Sequence, residues 1–174
     1  MLAEAQQQIT QQQQPLQQQR KPGDDEIDVF GMTHVGRVRE TNQDHFLIGS
    51  MRKQAIVYQT SLGDAAAFDG LDERAAFVAM VADGAGGDVG GEQASRHAVE
   101  AVMRYLALGM HCYYAGDAGD DDFGESLRAA AMRCHAELLE RADADFGLHG
   151  MATTLTLWLG VWPRSYLLQV GDSR

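Results

Sequence analysis

The sequence predicts an α+β fold built on antiparallel β-sheet. Two observations support this class: strand-like runs rich in apolar and β-branched residues occur in the first and last parts of the chain, and two amphipathic segments follow one another between them. Strands that alternate with helices are typical of parallel sheets, whereas strands grouped apart from the helices indicate antiparallel pairing.

The chain opens with a glutamine-rich segment that is predicted to lie outside the fold. Residues 1–24 are dominated by glutamine and end in a short charged stretch. Such a segment buries too little apolar surface to offset the entropy that is lost on ordering. We expect a disordered tail at residues 1–24 and one folded domain at residues 25–174.

Four strands are predicted in the first part of this domain. Apolar residues there alternate with polar ones or form short runs between turn residues. The strands are expected at residues 27–33, 44–49, 55–61 and 76–82. The last run is apolar throughout, which indicates a strand buried in the core.

Two helices and two more strands complete the predicted fold. Apolar residues recur at helical spacing over residues 92–108 and 125–142. The acidic, glycine-containing stretch 116–124 is expected to be a solvated loop between the helices, since it lacks the glycine spacing of an EF-hand. Runs rich in Thr, Leu and Val predict final strands at 152–160 and 165–171.

Composition excludes several classes of protein. Hydrophobic residues make up 45% of the 174-residue chain and charged residues 22%, as in ordinary globular domains. The net charge of −11 argues against a nucleic-acid-binding surface, which needs clustered Lys and Arg.

The two cysteines form no disulfide framework, and Cys134 is interpreted as a small core residue. Because the chain has neither a secretion signal nor a run of roughly 20 apolar residues, we expect a cytoplasmic protein without membrane contact.

The most informative motif follows the buried strand. Asp83 ends this apolar run, and five glycines occupy positions 84, 86, 87, 90 and 91 before the helix predicted near Glu92. A carboxylate on a rigid strand end, beside a loop with few side chains, lets a hard cation and a phosphate oxygen approach the main chain closely. An isolated Asp-Gly pair is more often a turn or cap, so this interpretation depends on the other motifs.

Two further segments carry related chemistry. Upstream of Asp83, Arg39 has a positively charged side chain, and Asn-Gln-Asp at residues 42–44 leads into a predicted strand. Downstream, Gly-Met-Ala-Thr-Thr at 150–154 opens one of the last strands, and Gly-Asp-Ser-Arg at 171–174 follows the other. In order and spacing, these motifs resemble those of the metal-dependent protein phosphatase 2C family (PP2C or PPM), in its bacterial form, over about residues 27–174.

The resemblance implies a fold, a reaction and a set of site residues. The fold is a four-layer α-β-β-α sandwich of antiparallel sheets, and the reaction is hydrolysis of phosphoserine and phosphothreonine by metal-activated water. A complete domain would hold two Mn²⁺ or Mg²⁺ ions on hard oxygen ligands. The metal ligands implied here are Asp83 as a bridging catalytic carboxylate, Asp44, the backbone carbonyl of Gly84, and Asp172 for an additional ion; Arg39 would bind the substrate phosphate.

The same resemblance exposes departures from the family pattern. Family members continue past the Gly-Asp-Ser-Arg strand and add two aspartates to the metal centre, so we expect this chain to be a fragment that is incomplete at its C-terminus. Gln43 stands where many members have glutamate, and we expect its amide to orient a metal-bound water. Ala85 stands where some members carry a histidine proposed as a general acid.

The sequence therefore predicts a metal-dependent serine/threonine phosphatase whose partners are proteins phosphorylated by a cognate kinase. One alternative is a catalytically inactive relative with a binding or regulatory role. The missing aspartates and Ala85 favour that alternative, whereas the retained Arg39, Asp44, Asp83 and Asp172 oppose it. Another alternative is a nucleotide-binding module, but the glycine loop has neither the GxxxxGK[ST] nor the GxGxxG arrangement.

Overall fold

An antiparallel sheet and two long helices form the part of the chain that the structure describes. The computed structural model describes residues 20–54, 56–59, 61, 72–109 and 120–173. Most of the predicted glutamine-rich tail, the start of the predicted acidic loop and Arg174 lie outside the described residues.

Five strands make up the described sheet. They are β1 (Asp44–Gln54), β2 (Asp72–Ala85), β3 (Ala152–Thr153), β4 (Leu155–Val161) and β5 (Arg164–Val170). Their order is β1-β2-β4-β5, and the short β3 pairs with the end of β2. Every pairing is antiparallel, which confirms the α+β class with antiparallel sheet.

Two helices cover one face of this sheet. Helix α1 (Gly87–Gly109) packs on β2 and β1, and α2 (Asp120–Ala144) packs beside α1 and reaches β5. No helix in the described part of the chain is long and apolar enough to cross a membrane.

The core lies between the sheet and α1 because alternate residues of β2 point toward that helix. The buried residues of the two elements are Ala76, Val78, Met80 and Ala82 on β2, and Ala94, Ala98, Val102 and Leu106 on α1. The α1 residues recur every four positions, which places them on one stripe of the helix. Cys134 of α2 joins this core as predicted, and burial raises the pKa of its thiol to about 11.

The opposite face of the sheet, here called the open face, also carries large apolar side chains. They are Phe46, Phe77, Val81, Trp158 and Leu167. Val81 is 48% exposed and Leu167 is 57% exposed, so this face is much less covered than the face under α1. The described residues thus form one sheet layer and one helical layer of the predicted sandwich.

Two of the predicted strands are wrong. Residues 27–33 have no regular secondary structure, and none forms among the described residues of 55–61. In the described part of the chain β1 pairs only with β2, so no strand is a backbone partner of residues 27–33. A strand needs such a partner for its N–H and C=O groups, whatever its side-chain pattern. Strand β1 itself continues to Gln54, beyond the predicted end at residue 49.

The helices begin earlier than predicted. Helix α2 includes residues 120–124, which were expected to be loop, because Phe123 is buried and its ring centroid lies 4.1 Å from that of Tyr166. Helix α1 starts at Gly87, so Gly90 and Gly91 belong to the helix and the predicted glycine loop is much shorter. Thr154 interrupts the strand predicted at 152–160.

Candidate functional site

Antiparallel pairing brings two of the predicted ligands together at one end of the sheet. Strand β1 begins where β2 ends, and its first residue, Asp44, is the register partner of Asp83. Side chains directly opposite each other in such a pair have Cβ atoms about 5 Å apart. Both residues are exposed, and the charge of Asp83 acts on the carboxyl group of Asp44.

The surroundings of the Asp44 carboxyl disfavour its ionised form. The pKa of Asp44 lies above its ordinary value of 3.8 because its carboxyl is partly withdrawn from water, and the charge of Asp83 raises it further. Arg39 and His45 act in the opposite direction. Two carboxyl groups that face each other resist simultaneous ionisation, and a divalent cation competes with protons for carboxylate oxygen atoms.

The raised pKa of Asp44 predicts how the stability of the metal-free protein changes with pH. The folded state holds this proton more tightly than the unfolded state, so the contribution of Asp44 is complete below pH 3.8 and is lost as the pH rises through the raised pKa. Asp44→Asn removes the titrating group and should be more stable than wild type at neutral pH, with an advantage that shrinks toward about pH 4. Urea unfolding in EDTA over a pH series measures the difference. An advantage that grows as the pH falls would contradict the assignment.

The threonines of the 150–154 motif hold the backbone of Asp83. The amide of Asp83 donates to Oγ1 of Thr154 at 3.0 Å. The carbonyl of Asp83 accepts from the amide of Thr154 at 2.9 Å and from Oγ1 of Thr153 at 3.0 Å. This motif therefore fixes the end of β2 through hydrogen bonds to Thr153 of β3 and to Thr154, which lies between β3 and β4.

Gly84 lies where β2 passes closest to α1. Its amide donates to the backbone carbonyl of Gln43 at 3.2 Å. A Cβ at this position would lie 2.0 Å from the carbonyl oxygen of Gly91 and 2.8 Å from that of Gln43. The glycines at 84 and 91 thus permit close packing of β2, β1 and α1, a role that differs from the open phosphate loop expected from the sequence.

The other two predicted residues lie near the pair without completing it. Arg39 is exposed in the segment before β1, and its charge reaches Asp44. Asp172 is exposed and lies just after β5. Strands β5 and β2 finish at the same end of the sheet. Within the described ranges no group of three or more His, Cys, Asp or Glu side chains is placed to hold one metal ion, so Asp172 stands apart from Asp44 and Asp83.

Ser95 is a site residue that the sequence reasoning missed. It is fully buried on α1, and its hydroxyl lies 2.5 Å from the carbonyl oxygen of Gln43 and 2.9 Å from Nδ1 of His45. The available signal was a hydroxyl residue at a core-facing position of the helix, since a buried polar group requires a partner. Gln43 also differs from expectation, because its side-chain amide donates to the carbonyl of Gly87 on α1.

An open groove of about 510 Å³ on the open face reaches Asp44. Its walls are the segment 30–34 and residues of β1, β2 and β4, among them Phe46 and Trp158. Oγ1 of Thr156 in this groove is buried without a hydrogen-bond partner in the described part of the chain. Asp44 therefore lies at the polar end of a largely apolar groove.

Comparisons with known proteins agree with the motifs. The profile of the family described as Protein phosphatase 2C matches residues 51–174. The M. tuberculosis serine/threonine phosphatase PstP/Ppp is 25% identical, with a TM-score of 0.52 over 80% of this chain and 44% of its own. The S. agalactiae serine/threonine phosphatase is 21% identical, with a TM-score of 0.58 over 82% of this chain and 48% of its own. The chain thus spans less than half the length of either structure, and no curated protein matched it.

Proposed function

Because this chain belongs to the protein phosphatase 2C family, we propose that it forms part of a metal-dependent protein serine/threonine phosphatase. The observation that carries this proposal is the pairing of Asp44 with Asp83 across β1 and β2. Two carboxyl groups that face each other at an exposed sheet end offer the hard oxygen ligands that Mn²⁺ and Mg²⁺ take in proteins.

Each residue of the site has a distinct role in this proposal. Asp44 and Asp83 would hold the cation through their carboxylates, and the Gly84 carbonyl would be a further ligand. A bound metal supplies an activated water near neutral pH and offsets the charge of the phosphoryl group. Arg39 binds the substrate phosphate, because a planar guanidinium can donate to two phosphate oxygens at once. Asp172 is assigned to an additional, weaker cation site.

The substrates we propose are proteins phosphorylated on serine or threonine by a cognate kinase. Support comes from the family match and from the two solved structures, both of which are serine/threonine phosphatases. A second candidate function is a catalytically inactive, phosphatase-like protein that binds a partner. Two observations favour this candidate. Ala85 stands where some family members carry a histidine, and only two carboxylates face each other in the described part of the chain.

Metal removal distinguishes the two candidates. The full-length protein is incubated with phosphoserine and phosphothreonine peptides, and the released phosphate is measured with Mn²⁺, with Mg²⁺ and with EDTA. We expect release with either cation and none in EDTA, because the carboxylates alone supply no activated water. A phosphotyrosine peptide is the matched substrate control. Phosphate release that persists at the same rate in EDTA would exclude the proposed chemistry, and no release under any condition would favour the binding protein.

A further inference from the structure

We propose that Gln43 is a positioning residue that fixes the separation of Asp44 and Asp83, and that it acts through an amide which a carboxylate cannot replace. The inference rests on the proposed function, since the cation site is what Gln43 would position. Gln43 directly precedes Asp44 in the chain, and Gly84 directly follows Asp83. A contact between Gln43 and Gly84 therefore constrains the carboxyl pair from both strands.

The backbone of Gln43 makes that contact. Its carbonyl accepts from the amide of Gly84 at 3.2 Å and from the hydroxyl of Ser95 at 2.5 Å. Ser95 is 0% exposed and sits on α1, so one carbonyl oxygen joins β1, β2 and the helix. Because the Ser95 hydroxyl donates to Gln43, its contact with Nδ1 of His45 is one in which it accepts.

The side chain of Gln43 adds a second link to the same helix. Its Nε2 donates to the carbonyl of Gly87, the first residue of α1. The other half of the amide lies against Gly91, where a Cβ would be 2.6 Å from Oε1 of Gln43. The Gln43 side chain thus packs against the first turn of α1, between Gly87 and Gly91.

The chemistry of this link selects an amide. A backbone carbonyl only accepts, and the glutamine NH₂ group provides donors, whereas an ionised glutamate provides none. Glutamate at position 43 would place a charged acceptor against the Gly87 carbonyl, and the link between β1 and α1 would be lost. The sequence had suggested instead that this side chain orients a metal-bound water, and the two roles predict opposite effects of Gln43→Glu.

Metal affinity separates the two roles. Mn²⁺ binding to the full-length protein is measured by the EPR signal of unbound Mn²⁺ for wild type, Gln43→Glu and Gln43→Met. A positioning role predicts that both variants bind Mn²⁺ about 10- to 100-fold more weakly, as is usual when the support of a ligand is removed. If the side chain faces the metal, Gln43→Glu adds a negative ligand and binds Mn²⁺ as tightly as wild type or more tightly, which would overturn the proposal.

A matched control is available on the same strand. Gln54 is the exposed last residue of β1, at the opposite end of the sheet, so Gln54→Glu makes the same chemical change away from the site. Its Mn²⁺ affinity should equal that of wild type. If Gln54→Glu weakened Mn²⁺ binding as much as Gln43→Glu, the loss would not be specific to position 43 and the proposal would fail.

A measurement on the wild type requires neither a folded variant nor a bound metal. NMR of the metal-free protein follows the exchange of the side-chain amide protons of Gln43 and of the exposed Gln54. We expect exchange at Gln43 to be at least about tenfold slower, because one of its protons is hydrogen-bonded. Equal rates would overturn the proposal. Slow exchange in a protein that binds no Mn²⁺ would refute the proposed function and leave the positioning contact intact.

Discussion

Asp83→Asn is expected to lower kcat/KM for Mn²⁺-dependent phosphopeptide hydrolysis by about a thousandfold, equivalent to about 4 kcal/mol of transition-state stabilisation. Asp83 lies opposite Asp44 at the end of β2, where its carboxylate is one of the two that face each other. The amide of asparagine keeps the shape of the side chain and removes the charge that would hold the cation. Steady-state kinetics on a phosphothreonine peptide, with Mn²⁺ varied at each substrate concentration, measure the loss.

Asp72→Asn is the matched control for this variant. Asp72 begins the same strand that Asp83 nearly ends, and it forms an exposed ion pair with Arg52 at 2.6 Å. Exposed pairs of this kind contribute little to stability, so Asp72→Asn should retain nearly full activity. An equal loss in both variants, or an Asp83→Asn variant with wild-type kcat/KM, would remove Asp83 from the proposed cation site.

The metal-free stability of Asp83→Asn provides a second, independent readout. The charge of Asp83 raises the pKa of Asp44, so its removal relieves repulsion between the two carboxylates at neutral pH. The variant should therefore unfold at the same or a higher urea concentration than wild type in EDTA. Loss of activity together with retained stability would separate a role in the reaction from a defect in folding.

Gly84→Ala is expected to destabilise the folded protein by about 3 kcal/mol, at the upper end of the usual cost of overpacking. The added Cβ would lie 2.0 Å from the carbonyl oxygen of Gly91 and 2.8 Å from that of Gln43. Both are backbone atoms, so no side chain can turn aside to relieve the contact. Relief requires both α1 and Gln43 to move away from Gly84, and the shift of Gln43 would break its hydrogen bond with the Gly84 amide. Urea unfolding followed by circular dichroism measures the change.

Gly49→Ala is the control for this second variant. Gly49 lies in the middle of β1, and a Cβ there would have its nearest neighbours at 3.8 Å and 3.9 Å, which is ordinary van der Waals contact. Replacing glycine by alanine where the backbone is compatible stabilises proteins by about 0.4 to 1 kcal/mol. Gly49→Ala should therefore match or exceed wild-type stability. If Gly84→Ala were as stable as Gly49→Ala, the close approach of β2 to α1 would be wrong.

The two site variants are expected to fail in different ways. Asp83→Asn changes a charge at an exposed sheet end, so it should lose activity without loss of stability. Gly84→Ala changes a packing contact in a buried position, so it should lose stability first and activity as a consequence. Observing both patterns would show that adjacent residues of one motif separately serve the chemistry and the packing.

Local sequence pattern was sufficient for the elements whose burial is set by their own periodicity. The apolar run at 76–82 became the centre of β2, and the helical spacing over 92–108 and 125–142 became most of α1 and α2. Each of these segments presents a continuous apolar face, so its secondary structure and its burial follow from the same residues. The resemblance to a known family named Asp44 and Asp83 as ligands, and their pairing became visible only with the register of β1 and β2.

Tertiary structure decided the features that depend on a partner distant in sequence. The apolar pattern at 27–33 formed no strand, because strand formation depends on a neighbouring backbone and not on side chains alone. The direction of the Gln43 amide and the burial of Ser95 follow from how closely β1 approaches α1, and glycines at 84 and 91 set that approach. The sequence by itself determined the class of fold and the residue types of the site, since both depend on local pattern. The close packing of three elements determined which side chains meet, because contacts between distant residues exist only once the chain has folded.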